Sequence, residues 1–186
     1  MGSEGTVEEV ARLIAAAQRV LFITGAGISA DSGLPTYRGV GGLYNNTETE
    51  EGFPIEVALS GSMLDARPDV AWKYILQIER ACRNGKPNRG HDVIAALAKD
   101  RHVCVLTQNV DGFHRAAGSP NVIDIHGDVH ALYCTRCDWE AVVENYAHIQ
   151  ELPPMCPDCG ALILISSAIT SRVHHSLSLR STAATR

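Results

Sequence analysis

The chain has 186 residues, of which 45% are hydrophobic and 20% are charged, so its composition is that of a folded globular domain and excludes a largely disordered chain. Its 16 basic and 21 acidic residues give a formal net charge of -5. This balance argues against a nucleic-acid partner or a membrane-surface partner, because both kinds of binding rely on Lys and Arg to neutralise phosphates.

The first two thirds of the chain alternate predicted helices with predicted strands. Short apolar runs that end in glycine or polar residues are typical of buried parallel strands. They lie at 20–24, 103–107 and 122–125. Helical spacing of apolar residues covers 7–17, 54–85 and 91–99. Alternating strands and helices predict an α/β fold with a parallel sheet.

The N-terminus lacks the basic start and long apolar stretch of a signal peptide, and no apolar run is long enough to span a membrane. We therefore expect a cytoplasmic protein. Thiols stay reduced in that compartment, so six cysteines indicate metal binding or catalysis more than disulfides.

A glycine-rich turn follows the first predicted strand. Gly25, Gly27 and Ala30 fit the G-x-G-x-x-G/A pattern, in which the glycines allow close approach of the backbone to a pyrophosphate. A plain tight turn would look the same, so the pattern alone leaves both interpretations open.

Four of the six cysteines form two pairs with the spacing of a metal site. Cys134 and Cys137 make the first CxxC pair, and Cys156 and Cys159 make the second after 18 intervening residues. Two such turns supply the two edges of a tetrahedron of thiolates, which is the arrangement of a structural zinc ribbon. Two structural disulfides are the less favoured alternative.

Several motifs together resemble the signature of the sirtuin family. They are GAGISADSGLPTYRG at 25–39, TQNVDGFH at 107–114 and IHG at 125–127, followed by the two cysteine pairs in the family's order. The resemblance covers about 5–163. It implies a Rossmann-like domain over 1–130 with a helical insert at about 40–85, and a zinc-ribbon module over 131–162.

The resemblance also implies an enzyme, an NAD-dependent protein-lysine deacetylase or deacylase whose partners are acyl-lysine proteins. Its products would be nicotinamide, deacylated lysine and O-acyl-ADP-ribose. His126 matches the family's general base, a role that suits an imidazole because its pKa lies near neutrality. Asn109 is the second residue expected to act in catalysis. Transfer of ADP-ribose by the same site is a lesser variant.

The cofactor site carries over residue by residue. Asp111 is expected to hold the nicotinamide carboxamide, and Arg38 to lie near the phosphates and ribose. Tyr37 stands where the family usually has Phe, and Thr36 where it usually has Asp. The full NAD-binding set is Gly25, Ala26, Gly27, Ile28, Thr36, Tyr37, Arg38, Gln108, Asn109, Val110 and Asp111.

The acyl pocket is expected to be apolar. The resemblance, aligned through Trp72, implies that Ile75 and Ile78 occupy the positions at which sirtuins that prefer succinyl or malonyl groups carry Tyr and Arg. A shift of one residue would place Tyr74 and Gln77 there instead, which also supplies no cation. Three positions apart, Ile75 and Ile78 lie on one helix face. An apolar wall cannot pair a carboxylate, so we expect acetyl or longer neutral acyl groups as substrates. Ile75 and Ile78 could equally be ordinary core residues.

The tail differs in composition from the rest of the chain. From residue 161 onward there is no Asp, Glu, Lys, Gly, Pro or aromatic residue. We predict an atypical, disordered tail over 163–186, without the strands and second glycine turn that a sirtuin would add. The alternative function is therefore a catalytically inactive, zinc-binding sirtuin fragment that acts as a binding module or has no function.

Overall fold

The computed structural model describes residues 3–34 and 48–166. A first sheet contains three parallel strands in the order β1-β2-β3, which confirms the predicted parallel sheet. The strands are β1 (Arg19–Thr24), β2 (His102–Thr107) and β3 (Val122–Asp124). All three end at the same edge, where Thr24 of β1 lies opposite Thr107 of β2 and Thr107 lies opposite Asp124 of β3.

The helices connect the strands and begin where the sequence supplies a helix start. Pro68 opens α4 with Asp69 in its first turn, and the side chain of Asn88 caps α5 by accepting a hydrogen bond of 2.8 Å from the N–H of Gly90. The α-helices are α1 (Ser3–Ala16), α2 (Ile55–Ala58), α3 (Gly61–Ala66), α4 (Pro68–Cys82), α5 (Arg89–Leu97) and α6 (Phe113–Ala116). A 3-10 helix, Ala26–Ser32, follows β1.

A second, antiparallel sheet follows the first. Its strands are β4 (Asp128–Cys134), β5 (Glu140–Val142) and β6 (Ile163–Ser166), in the order β5-β4-β6. The predictions of a module boundary at 162 and of a disordered tail from 163 are wrong for 163–166, because these residues form a strand that pairs with β4. Pairing with β4 and burial of Ile163 stabilise this apolar run. The prediction of disorder rested on the absence of turn residues, which does not report such tertiary contacts. Residues 167–186 lie outside the described residues.

Two cores hold the sheets in place. Ile94 of α5 packs with Val103 and Val105 of β2 on one face of the first sheet. The second core unites α4 with the antiparallel sheet and the cysteine pairs. Its buried residues are Trp72, Ile75, Leu132, Cys134, Tyr146, Cys156 and Ile163.

The other face of the first sheet is exposed at β1 and β3. Leu21 and Ile23 of β1 are 58% and 68% exposed, and Ile123 of β3 is 42% exposed. The prediction that β1 is buried is therefore wrong, because helix packing covers only one of its faces within the described part of the chain. The apolar stripe of α1 is also exposed, at Val7, Val10 and Leu13. None of the helices in the described ranges has the length and apolar character needed to cross a bilayer.

Candidate functional site

A cavity of about 660 Å³ lies between the two sheets and α4. The first sheet contributes its carboxyl edge, where ligands bind in open α/β folds. Residues from this edge are Ala26, Gln108, Asn109, Val110, Ile125 and His126. The helices contribute Glu56, Leu59, Leu64, Ile75 and Ile78, and the second sheet contributes Val129, Tyr133, Leu164 and Ile165.

Both residues predicted to act in catalysis line this cavity. His126 follows β3 and is exposed, while Asn109 follows β2 and is only 7% exposed. An accessible imidazole can accept a proton from a hydroxyl group of a molecule in the cavity, and a buried amide on the same cavity wall can help to orient that hydroxyl. The structure therefore places two residues that are 17 positions apart in the sequence on the wall of one cavity.

The side chain of Asn109 is held by the glycine-rich turn. Its Nδ2 donates to the carbonyl of Gly25 at 3.2 Å and to Oγ of Ser29 at 3.1 Å. Ser29 in turn donates to Oδ2 of Asp111 at 2.7 Å, and Oδ1 of Asp111 accepts from the N–H of Phe113 at 3.0 Å. Ser29 was not singled out in the sequence, although it lies inside the glycine motif.

Asp111 does not belong to the cavity wall among the described residues. That Asp111 holds a carboxamide stays a prediction. In the structure its carboxylate accepts hydrogen bonds from Ser29 and from the N–H of Phe113. Gly112, at φ 71, allows the tight turn that brings the N–H of Phe113 back to this carboxylate. Asp111 thus organises the loop that carries Asn109.

The glycine-rich turn is open on its outer side. A Cβ built on Gly25 or Gly27 would meet no atom of the described residues within 4 Å, so packing among those residues does not require glycine there. Bare backbone facing open space is what a closely approaching pyrophosphate needs, so the turn fits an NAD phosphate site. Ala26 lines the cavity and Ile28 lies in the same 3-10 helix. Thr36, Tyr37 and Arg38 lie outside the described residues.

The predicted acyl wall is present as an apolar surface. Ile75 and Ile78 are 4% and 5% exposed and both line the cavity. Within the described ranges, no Lys or Arg lines it. Sequence reasoning missed the opposite wall, made by Leu164 and Ile165 of β6, because their apolar run was assigned to the tail.

The four paired cysteines converge on one point. Their Sγ atoms all lie within 4.8 Å of one another, with 3.4 Å between those of Cys134 and Cys159 and 3.6 Å between those of Cys137 and Cys156. A zinc ion with Zn–S bonds of about 2.3 Å has tetrahedral S–S edges of about 3.8 Å. The sulfurs are too far apart for disulfides, whose S–S bond is about 2.05 Å long. The residues fit a closed, structural zinc site.

Two buried histidines lie behind the Asn109 loop. The rings of His91 and His114 are 4.8 Å apart, and both residues are at most 2% exposed. Burial lowers the pKa of each imidazole, with the neighbouring His91 adding to the effect at His114. Both rings are therefore neutral near pH 7.

The cavity at the carboxyl edge of a parallel sheet, the glycine-rich turn and the four converging cysteines are the features of a Rossmann-like α/β fold with a four-cysteine module. The model of the Sir2 family matches residues 25–173. The chain belongs to the Sir2 family, the sirtuins, as its motifs indicated.

The relatives agree with this assignment. The chain is 52% identical over 167 residues to the NAD-dependent protein deacylase 2 of Pseudomonas aeruginosa, covering 88% of this chain and 64% of the relative. It is 55% identical over 151 residues to the protein of the same name from Pseudomonas syringae pv. tomato, covering 79% of this chain and 60% of the relative. The chain thus spans less than two thirds of the length of these relatives.

Solved structures show the same fold. A crystal structure of a Sir2 homolog in complex with NAD superimposes with a TM-score of 0.71 at 34% sequence identity. The match covers 86% of this chain and 60% of that chain. A second structure, described as the structural basis of sirtuin substrate affinity, matches with a TM-score of 0.68 at 28% identity and covers 96% of this chain and 72% of that chain.

Proposed function

We propose that this chain carries the site of an NAD-dependent protein-lysine deacylase. The observation that carries the proposal is the single cavity on which His126, Asn109 and the apolar pair Ile75 and Ile78 converge. A deacylase needs a proton acceptor, a polar group that orients ribose hydroxyls, and an apolar space for the acyl chain. The relatives named as NAD-dependent protein deacylases support the proposal.

NAD, when bound, supplies the ribose carbon that receives the acyl oxygen and the nicotinamide that leaves. His126 is assigned as the general base, because an exposed imidazole in the cavity can take a proton from a ribose hydroxyl. Asn109 orients that hydroxyl through its amide, which the glycine turn holds in place. The walls formed by α4 and β6 exclude water from the acyl group.

The same walls favour a neutral acyl group. Ile75 and Ile78 of α4 and Leu164 of β6 offer no hydrogen bond to a terminal carboxylate. Burying a carboxylate without a partner costs several kcal/mol. Acetyl and longer neutral acyl-lysines are therefore the proposed substrates over succinyl-lysine.

The proposal extends to the setting of the enzyme. Acyl-lysine proteins are its partners, and its location is the cytoplasm, a compartment with which the six free cysteines are consistent. An inactive zinc-binding module remains the second candidate. The exposed Leu21 and Ile23 favour it, because part of the first sheet lacks an apolar cover within the described ranges.

The test is release of nicotinamide from NAD by the purified chain, with and without an acetyl-lysine peptide. We expect peptide-dependent release in the wild type and a loss of at least about 100-fold in His126→Ala, the scale of general-base catalysis. His102→Ala is the matched control, because His102 is also exposed but lies at the start of β2. Soluble protein with bound zinc and no release would favour the inactive module.

A further inference from the structure

Two threonine hydroxyls join the carboxyl ends of β1 and β2. Oγ1 of Thr24 donates to Oγ1 of Thr107 at 2.9 Å, and Oγ1 of Thr107 accepts the backbone N–H of Asn109 at 3.1 Å. On the other side, Nε2 of His114 lies 3.0 Å from Oγ1 of Thr24. A chain of hydrogen bonds therefore runs from α6 through both strands to Asn109.

The positions of the protons in this chain follow from the donors available. A hydroxyl has one hydrogen, and Thr24 directs its hydrogen to Thr107, so Nε2 of His114 must be the protonated nitrogen that donates to Thr24. Nδ1 of His114 then carries no hydrogen, and it has no hydrogen-bond partner in the described part of the chain. The ring is 2% exposed, so this neutral form is kept away from water.

The far end of the chain is a residue whose orientation matters. Nδ2 of Asn109 uses its two hydrogens on the carbonyl of Gly25 and on Ser29, and a carbonyl can only accept. The side-chain amide is therefore fixed, and Oδ1 is the atom left for a ligand. The position of Oδ1 depends on the backbone of Asn109, whose N–H donates a hydrogen bond to Oγ1 of Thr107.

We propose that His114 is a positioning residue for Asn109. When Nε2 of His114 donates to Thr24, the hydrogen of the Thr24 hydroxyl is directed toward Thr107. Oγ1 of Thr107 is thereby held in the position where it accepts the backbone N–H of Asn109 and so anchors the Asn109 backbone. The effect of His114 on turnover rests on the proposed function, whereas its effect on the Asn109 backbone does not. A merely space-filling imidazole, packed beside His91, is the alternative that the experiment must exclude.

Hydrogen exchange of the Asn109 backbone amide tests the anchor directly, by NMR on the full chain. We expect exchange about 5- to 10-fold faster in His114→Phe and in Thr24→Val, the loss that one net hydrogen bond implies. His114→Gln keeps an N–H donor at the end of its side chain and should restore protection. Amides of β4 should not change, which reports that the fold is intact.

Steady-state kinetics separate positioning from packing. We expect His114→Phe to lower kcat about 10-fold while KM for NAD and for the peptide changes less than about 2-fold, because misplacement of a catalytic group affects the reaction more than binding. His114→Gln should recover most of kcat. A kcat that stays at the wild-type value in His114→Phe overturns the proposal, as does failure of His114→Gln to rescue a stably folded protein.

If the wild-type chain releases no nicotinamide, the proposed function fails and the exchange experiment alone decides this inference. Unchanged protection of Asn109 in both His114→Phe and Thr24→Val would then overturn it. Faster exchange at every amide in these variants would equally count against it, since that result indicates general destabilisation in place of a specific anchor.

Discussion

The indole N–H of Trp72 donates a hydrogen bond of 2.9 Å to the backbone carbonyl of Ile163. The contact joins the middle of α4 to the first residue of β6, and Trp72 is fully buried in the core that it shares with Cys134 and Cys156. Ile75 lies one helical turn after Trp72, and Leu164 follows Ile163. The two walls of the cavity are thus fixed to each other through one side chain.

Trp72→Phe should destabilise the chain by about 2–3 kcal/mol, because it leaves the carbonyl of Ile163 without its donor and opens a small void. Urea denaturation measures the free energy of unfolding. Trp139→Phe is the control, since Trp139 is only partly buried at the edge of the same core. Equal losses in the two variants would contradict a special role for the hydrogen bond.

Zinc should be bound at about one ion per chain, through the four converging cysteines. Cys156→Ala should lose the metal and lower Tm by about 10 °C or more, because Cys156 lies in the second core and metal binding contributes to folding. Metal content and circular dichroism measure both effects. Cys104→Ala, in β2, should keep its zinc. Stoichiometric zinc in Cys156→Ala would exclude this site.

Stability should fall as the pH is lowered through about 6.5, the value for a histidine in an unfolded chain. Burial lowers the pKa of His91 and His114 in the folded state. Below the unfolded value, the unfolded chain therefore binds more protons, and the free energy of unfolding rises with pH across that window.

The variant His114→Gln should flatten this slope, and His102→Gln, at an exposed site, should leave it unchanged. Urea titrations at pH 5 to 8 make the comparison. Differences between variants cancel the slope of opposite sign from Asp128, whose pKa burial raises. A His114→Gln protein with the wild-type slope would show that His114 does not contribute to it.

Ile78→Arg should shift the acyl preference of the proposed enzyme. A guanidinium on the cavity wall can pair a terminal carboxylate, so the ratio of succinyl to acetyl turnover should rise about 10-fold or more. Parallel assays on the two acyl-lysine peptides give the ratio. Val57→Arg adds the same charge at an exposed position of α2 and should not change it. Equal ratios in both variants would show that Ile78 does not contact the acyl group.

The sequence predicted the parallel sheet and the cysteine site because each depends on short-range signals. Apolar runs indicated β2 and β3, and the two CxxC pairs specified their geometry by spacing alone. Family resemblance was needed for His126, since one histidine after a strand has no distinguishing pattern. The structure adds that it shares a cavity with Asn109.

Features that depend on tertiary contacts were not predictable. The apolar run 161–165 gave no sign that Ile163 would accept a hydrogen bond from a residue 91 positions earlier. Ser29 and His114 lie within two of the sequence motifs, but their spacing does not show that folding brings them to Asn109 and Thr24. The exposure of Leu21 and Ile23 was not predictable either. An apolar strand indicates that a face can be buried, but it does not show which element covers that face.

The spacing between paired strands has a consequence during synthesis. Thr24 of β1 and Thr107 of β2 are 83 residues apart, whereas the four converging cysteines are separated by 25 residues or fewer. At about 5–20 residues added per second, the ribosome synthesises β2 roughly 4–17 s after β1. During that interval Leu21 and Ile23 are an unpaired apolar strand, the kind of segment that chaperones hold. The metal module can close as soon as it emerges.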